Sequence, residues 1–375
     1  MPQVRHNTLL GAAALATILG GVGTQIAQPL SAAAATSHVY VLNNPNGTNS
    51  ISMYMRDEDG KLTLEGTKLI GGMGTGAHLG TQGALIRANH YLFAVDAGSN
   101  QISVVDDSYG ALTLKGVYSS GGADPVSLSY KDGHLYVVNA GNTTTAGNVM
   151  GFNFDDGKLM PIAGSDRPLS AAQPGPAEVA VSPDGNALVV TEKGTNSIDT
   201  YHINGNGSLE AGLFTPATGA TPFGFAFNPA HSEEFLVSDA FGGAAGAGAV
   251  TSYKSVNGKN LSVIQGPVAN TQSAPCWVAF TPNGDYAFVT NTASSNVSVI
   301  QVNDNGTVVV KNTASTGVGS APAEVSVSQY GHFVFVLDGV TNTISVFTFH
   351  NGMLTAVPQT GITLPASAVG LANNS

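Results

Sequence analysis

Charge is scarce in this chain. Asp, Glu, Lys and Arg make up 10% of its 375 residues, against roughly a quarter in an ordinary soluble domain. Lys and Arg number 13 against 24 Asp and Glu, for a formal net charge of −11, so the broad positive field that attracts nucleic acid or anionic lipid is missing. A lone cysteine, Cys276, excludes an internal disulfide and leaves stability to the core. Beyond residue 35 no run of 18 apolar residues occurs, which excludes a helical membrane span there. Sustained 3.6-residue periodicity is missing from the same region, so helix is expected to be nearly absent. The Gly-rich GGMGTGAHLG (Gly71 to Gly80) leads into no helical pattern, and FGGAAGAGA (Phe241 to Ala249) lacks the Lys-Ser/Thr of a P-loop; neither implies a nucleotide cofactor.

What is present starts with a leader. Arg5 and His6 precede an uncharged apolar stretch, Leu9 to Ala27, and the small residues Ala33-Ala34-Ala35 stand before Thr36. This pattern predicts a secretory signal over residues 1–35, with residues 36–375 as one globular domain, secreted or periplasmic. Hydrophobic residues at 42% allow that domain a sizeable core.

One four-part pattern recurs along the domain. A Pro followed by alternating apolar residues comes first, as in GPAEVAVSPDG (Gly175 to Gly185), APCWVAFTPNG (Ala274 to Gly284) and APAEVSVSQYG (Ala321 to Gly331). An apolar run ending in Asn, Asp or Glu follows (YVVN, LVVTE, FVTN, FVLD), then a polar turn with a segment such as NSIDTY, and then a Gly turn with a short strand such as DGKL. The third part recurs at Ile51, Ile102, Val149, Ile198, Val250, Val297 and Ile344, at intervals of 47 to 52 residues. Seven units of four period-two segments predict an all-β, seven-bladed β-propeller with four antiparallel strands per blade. The first unit opens at His38 with its second strand, HVYVLNN, whereas Pro365 to Leu371 (PASAVGL) repeats a first-strand pattern after the seventh unit is complete. That C-terminal segment is expected to complete the first blade and close the ring, removing the edges a linear stack exposes.

These strand ends, PDG turns and NSIxxY segments resemble the seven-bladed propeller lactonases, a family that includes phosphogluconolactonases and carboxymuconate cyclases. LGTQGAL (Leu79 to Leu85), LFAVDAGSNQISV (Leu92 to Val104) and CWVAFTPNGDYAFVTN (Cys276 to Asn291) are similar to a secreted bacterial branch of it. The resemblance implies a monomer acting on a small-molecule lactone or acid, with His, Glu and Arg near the channel mouth. The position of the family's His-rich motif reads GPAEV here, which retains Glu178 alone.

In a propeller, equivalent positions of successive blades form rings. The second strands end in Asn43, Asp96, Asn139, Glu192, Asp239, Asn291 and Asp338. Glu178 and Glu324 share a position in the first strands of blades 4 and 7. Such crowding can raise a carboxylate pKa or create an oxygen site for Ca²⁺ or Mg²⁺, with Asp96 and Asp338 as ligands. Strand-end Asn and Asp equally serve to organise the next turn. Ester hydrolysis needs a base for water and a donor for the oxyanion. Glu178 or Glu324 is the expected base, and Lys193, Gln82 or a bound cation the polarising group. His78, Gln82, Glu192, Asp239 and Trp277 are the expected substrate contacts, with Trp277 as a stacking platform or, like Cys276, a blade-interface residue. The Phe241 to Ala249 segment reads as a flexible connection rather than a lid. Two functions follow: hydrolysis or formation of a sugar-acid or muconate-type lactone, or a non-catalytic extracellular propeller that binds protein, glycan or metal.

Overall fold

The computed structural model describes residues 37–375; the leader expected over residues 1–35 lies outside them. The described chain forms seven antiparallel sheets, numbered here as blades in chain order. Their innermost strands are Val369–Asn373, Leu85–Ala88, Pro125–Lys131, Pro176–Val181, Pro222–Phe227, Pro275–Phe280 and Pro322–Val327. Each packs beside the next around a full circle, with Val369–Asn373 touching the strands of both blade 7 and blade 2. Among the described residues the helical elements are three single-turn 3₁₀ segments.

Burial falls from the axis outward. The second strands Tyr91–Asp96 and Ala187–Glu192 are buried at every position, because both faces of a blade lie against neighbouring blades and a strand there reads as a continuous apolar run. The outermost strands, such as Leu62–Gly74, are mostly exposed. Aromatics fill the wedges between blades. Phe93 of blade 2 stacks on Tyr130 of blade 3 at 5.5 Å, and Phe288 of blade 6 meets the edge of Phe349 of blade 7 at 4.9 Å. Each such side chain contributes about 1.5–3 kcal/mol on burial.

The polar punctuation has a conformational cause. The turn into the third strand places Asn100, Asn196, Ser295 and Asn342 at φ of 58, 61, 54 and 54°, left-handed backbone that Asn tolerates best among residues bearing a side chain. In the TPNG turn Gly284 has φ +79°, and a Cβ there would stand 2.2 Å from Asn228 Oδ1.

Ring closure follows the expected route. Val369–Asn373 pairs antiparallel with Ser37–Leu42, matching Val39 with Asn373 and Val41 with Leu371, and the His38 N–H donates to Asn374 Oδ1 at 2.6 Å. The strand begins four residues later than PASAVGL predicts, because Pro365 opens a turn in which the Ala368 N–H returns to the Pro365 carbonyl at 2.9 Å.

Candidate active site

The segment joining blade 1 to blade 2, residues 75–84, crosses the central channel as a strap. Its short side chains and glycines let the backbone approach several inner strands, whose channel-side N–H and C=O groups need partners. Thr81 Oγ1 donates to the Val126 carbonyl of blade 3 at 2.9 Å, and Trp277 Nε1 of blade 6 donates to the Thr81 carbonyl at 3.0 Å. The Gln82 N–H donates to the Ala177 carbonyl of blade 4, and the Leu128 N–H of blade 3 to the Gly83 carbonyl, both at 2.9 Å. The Gln82 side chain acts as a peptide group. Its Nε2 donates to the Val278 carbonyl at 2.7 Å, and its Oε1 accepts the Val278 N–H at 2.9 Å. Lys193 Nζ donates to the Gly80 carbonyl at 2.5 Å.

A polar cavity of about 360 Å³ lies against Gln82 and Gly83, walled by inner strands of blades 1, 2, 3, 4 and 7. Here the structure brings together Glu178, Glu324 and Gln82 with three residues the sequence reading missed: Arg87, Tyr130 and Asn373. Both glutamates are buried, at 7% and 3% exposure. Glu178 Oε2 accepts the Phe225 N–H of blade 5 at 2.6 Å. Loss of water holds its carboxyl well above the ordinary range, the Phe225 N–H pulls it back, and the Glu324 charge adds to the rise. Burial likewise raises Glu324 well above that range, against the pull of the Gly83 and Val325 N–H groups. Glu324 Oε2 has no hydrogen-bond partner. The pair therefore favours a state in which at least one member holds a proton.

A second cavity of about 210 Å³, mainly apolar, is lined by the strap residues His78, Gly80 and Thr81 together with Trp277, Ala323 and Val340. His78 Nε2 lies 3.2 Å from the Gly339 carbonyl oxygen. Trp277 is 5% exposed and meets the edge of Phe223 at 5.3 Å. Lys193 Nζ stands 4.7 Å from the Phe223 ring centre. Burial lowers this lysine to about 8, against the opposing effect of Cys276, and burial raises the Cys276 thiol to about 11. Lys193 lines neither cavity.

The strand-end acids stand apart from both cavities. Asp96, Asp239 and Asp338 each accept a hydroxyl of the third strand of their own blade, from Ser103, Thr251 and Ser345, all at 2.6 Å. Glu192 accepts from the Ser170 and Thr195 hydroxyls. Asp96 and Asp338 thus belong to blades 2 and 7, and Asp96 Oδ1 accepts from Asn49 Nδ2 of blade 1 at 3.0 Å as well. Among the described residues no group of three or more His, Cys, Asp or Glu side chains is placed to hold a metal ion. Arg87 carried one available signal, a cation in the inner strand LIRA of a chain poor in cations. Tyr130 and Asn373 carried none above their strand pattern.

No curated protein matches the chain by sequence. Solved structures do match its fold. The periplasmic gluconolactonase of Pseudomonas aeruginosa superposes with a TM-score of 0.71 at 18% identity, over 91% of this chain and 99% of that one. A Bacteroides fragilis protein described as a candidate 6-phosphogluconolactonase gives 0.70 at 20% identity, over 90% and 98%. Hydrazine synthase of Kuenenia stuttgartiensis gives 0.59 at 17% identity, over 82% and 96%, so this fold alone does not name a reaction. The family model for the lactonase, seven-bladed beta-propeller, matches residues 146–240 and 241–364. With more than half of the sequence covered, the chain belongs to the seven-bladed β-propeller lactonase family.

Proposed function

We propose that the chain hydrolyses the ring ester of a small lactone in the polar cavity, with Glu178 and Glu324 as the acid–base pair. The observation that carries this reading is the meeting of two buried, proton-favouring carboxyls on one polar cavity, one with an unpartnered oxygen. The ionised member removes a proton from water as the water oxygen bonds to the lactone carbonyl carbon. Collapse of the tetrahedral oxyanion breaks the ring C–O bond, and the protonated member delivers its proton to the departing ring oxygen. The product is a hydroxy acid whose carboxyl proton passes to solvent. Gln82 Nε2 already donates to Val278 and Lys193 to Gly80, so Arg87, with Nη1 unused by its bonds to Asp107, is the better-placed donor for the oxyanion.

A lactone panel followed by pH-stat tests the reading. Glu178→Gln and Glu324→Gln are each expected to lower kcat by about 10²–10⁴, the usual scale of general acid–base catalysis. Full activity in both variants would reject the assignment. The same assay with chelator tests the sequence expectation of a bound cation: with Asp96 and Asp338 in different blades and bonded to protein donors, activity is expected to be unchanged. One observation favours the binding function instead, namely that Gln82 and Lys193 are committed to the strap. Saturable lactone binding by calorimetry without turnover would establish that reading.

A further inference from the structure

The polar cavity holds three charged side chains, Arg87, Glu178 and Glu324, and the one cation among them is cancelled from behind. Arg87 Nε donates to Asp107 Oδ2 at 2.5 Å and Nη2 donates to Oδ1 at 3.2 Å, a two-point pairing that fixes the guanidinium plane. The Asp107 side chain is 1% exposed and that of Arg87 22% exposed. Tyr40 Oη donates to Asp107 Oδ2 at 2.8 Å, and Asn374 Nδ2 donates to Tyr40 Oη at 3.2 Å. Asp107 is thus fixed against Arg87 from the protein side, and its own carboxylate is closed to solvent.

Resting on the hydrolase reading above, we infer that this cavity accepts an uncharged, hydroxyl-bearing lactone and rejects one that carries a phosphate or carboxylate, with Asp107 as the residue that sets the preference. When one glutamate is ionised to act as base, the cavity carries one net negative charge: Arg87 and Asp107 cancel, and the glutamate remains. A phosphate monoester brings a charge of about −1.5 to −2. It would be desolvated beside a carboxylate, where the one cation is already neutralised by Asp107 and its open Nη1 is needed at the ester oxyanion. A neutral sugar lactone meets no such opposition, and the Ser129 and Ser326 hydroxyls in the wall suit its hydroxyl groups: each oxygen accepts one bond, from the Val181 N–H at 2.9 Å and from Asn373 Nδ2 at 2.6 Å, which leaves its O–H to donate. The charge balance separates two substrate types that the family resemblance leaves together, because a muconate-type lactone bears a carboxylate and an unphosphorylated sugar lactone does not.

The test compares glucono-1,5-lactone with its 6-phosphate on the purified full chain, by pH-stat with spontaneous opening subtracted. The neutral lactone is expected to show a kcat/KM about 30-fold higher, between the scale of a like-charge contact in water and that of one near a protein surface. Asp107→Asn frees the Arg87 charge and is expected to raise the phosphate-to-neutral ratio by about 10-fold, mostly through KM, with the gain shrinking as salt is added. A purely structural loss would lower both substrates together. Equal or faster opening of the phosphorylated lactone by the wild type, or an unchanged ratio in folded Asp107→Asn, overturns the inference while leaving the hydrolase reading intact. Opening of neither lactone overturns the inference, and opening of no lactone in the wider panel removes the hydrolase reading with it. The wild-type ratio decides the matter even where Asp107→Asn does not fold.

Discussion

Asp239 lies out of water between two strands of blade 5, with Thr251 Oγ1 as its donor. Burial pushes its carboxyl up to about 7, and burial pushes Asp338 to about 7 and Asp96 to about 6, from 3.8. In each case the hydroxyl donor pulls the other way and loses. The folded chain thus holds these protons more tightly than the unfolded chain does. The stability they contribute is fully present below about pH 4 and is lost as pH rises through 6 to 7. Thermal unfolding followed by near-ultraviolet circular dichroism should give a higher Tm at pH 5.5 than at pH 8. Asp239→Asn should flatten that slope by about 1 kcal/mol or more, on the scale of one pKa unit per 1.36 kcal/mol. An identical slope in the variant would show that Asp239 titrates normally. At this scale the sequence told which side chains are acidic and repeated, and not which of them have company. Glu178 and Glu324 stood out because no turn requires an acid within an inner strand. The Asp96 and Asp338 pattern was open to turn chemistry and to a cation site, since a carboxylate that organises a turn and one that awaits an ion are written with the same letter.

Strands were legible because their signals are local. Alternation, Pro at the head of the inner strands and Asn at the left-handed turn all act within a few residues. The strap was not legible, because Gln82 and its partner Val278 are 196 positions apart and nothing near LGTQGAL announces a channel. Its weight is testable. Gln82→Ala removes two hydrogen bonds and leaves a buried N–H and C=O of Val278 unpaired, which should destabilise the domain by about 2–4 kcal/mol in urea unfolding. Hydrogen exchange at the Val278 amide should accelerate in parallel. Because the next residue, Gly83, supplies an N–H that holds down the pKa of Glu324, the acid limb of the pH–rate profile should move upward in the same variant. Unchanged stability and exchange would mean that the strap merely rests in the channel.

Across the whole molecule, the intervals of 47 to 52 residues and the displaced first-strand pattern at the C-terminal end were enough to specify a closed seven-fold ring. The interior of that ring was not specified, since the strap and the Arg87–Asp107 pair depend on neighbours supplied by several blades. Removal of Leu364 to Ser375 withdraws the buried side chains of Leu364, Val369 and Leu371 and bares one edge of Ser37–Leu42. At about 1.5–3 kcal/mol for each side chain, the loss approaches the total stability of an ordinary domain, about 5–15 kcal/mol. The truncated chain should lose cooperative unfolding in calorimetry; a transition at the wild-type temperature would show that six complete blades suffice.

The seam in blade 1 also imposes an order in time. His38 and Asn374 meet there across 336 positions, whereas the strands of blades 2 to 7 join through short turns. Local hairpins can zip up early, but the clasp must wait for two remote stretches to find each other against a larger loop entropy. During that wait the half-made wheel shows unsatisfied rims to its neighbours, so the hazard of clumping, and the opening for a chaperone, both end when a single latch snaps shut.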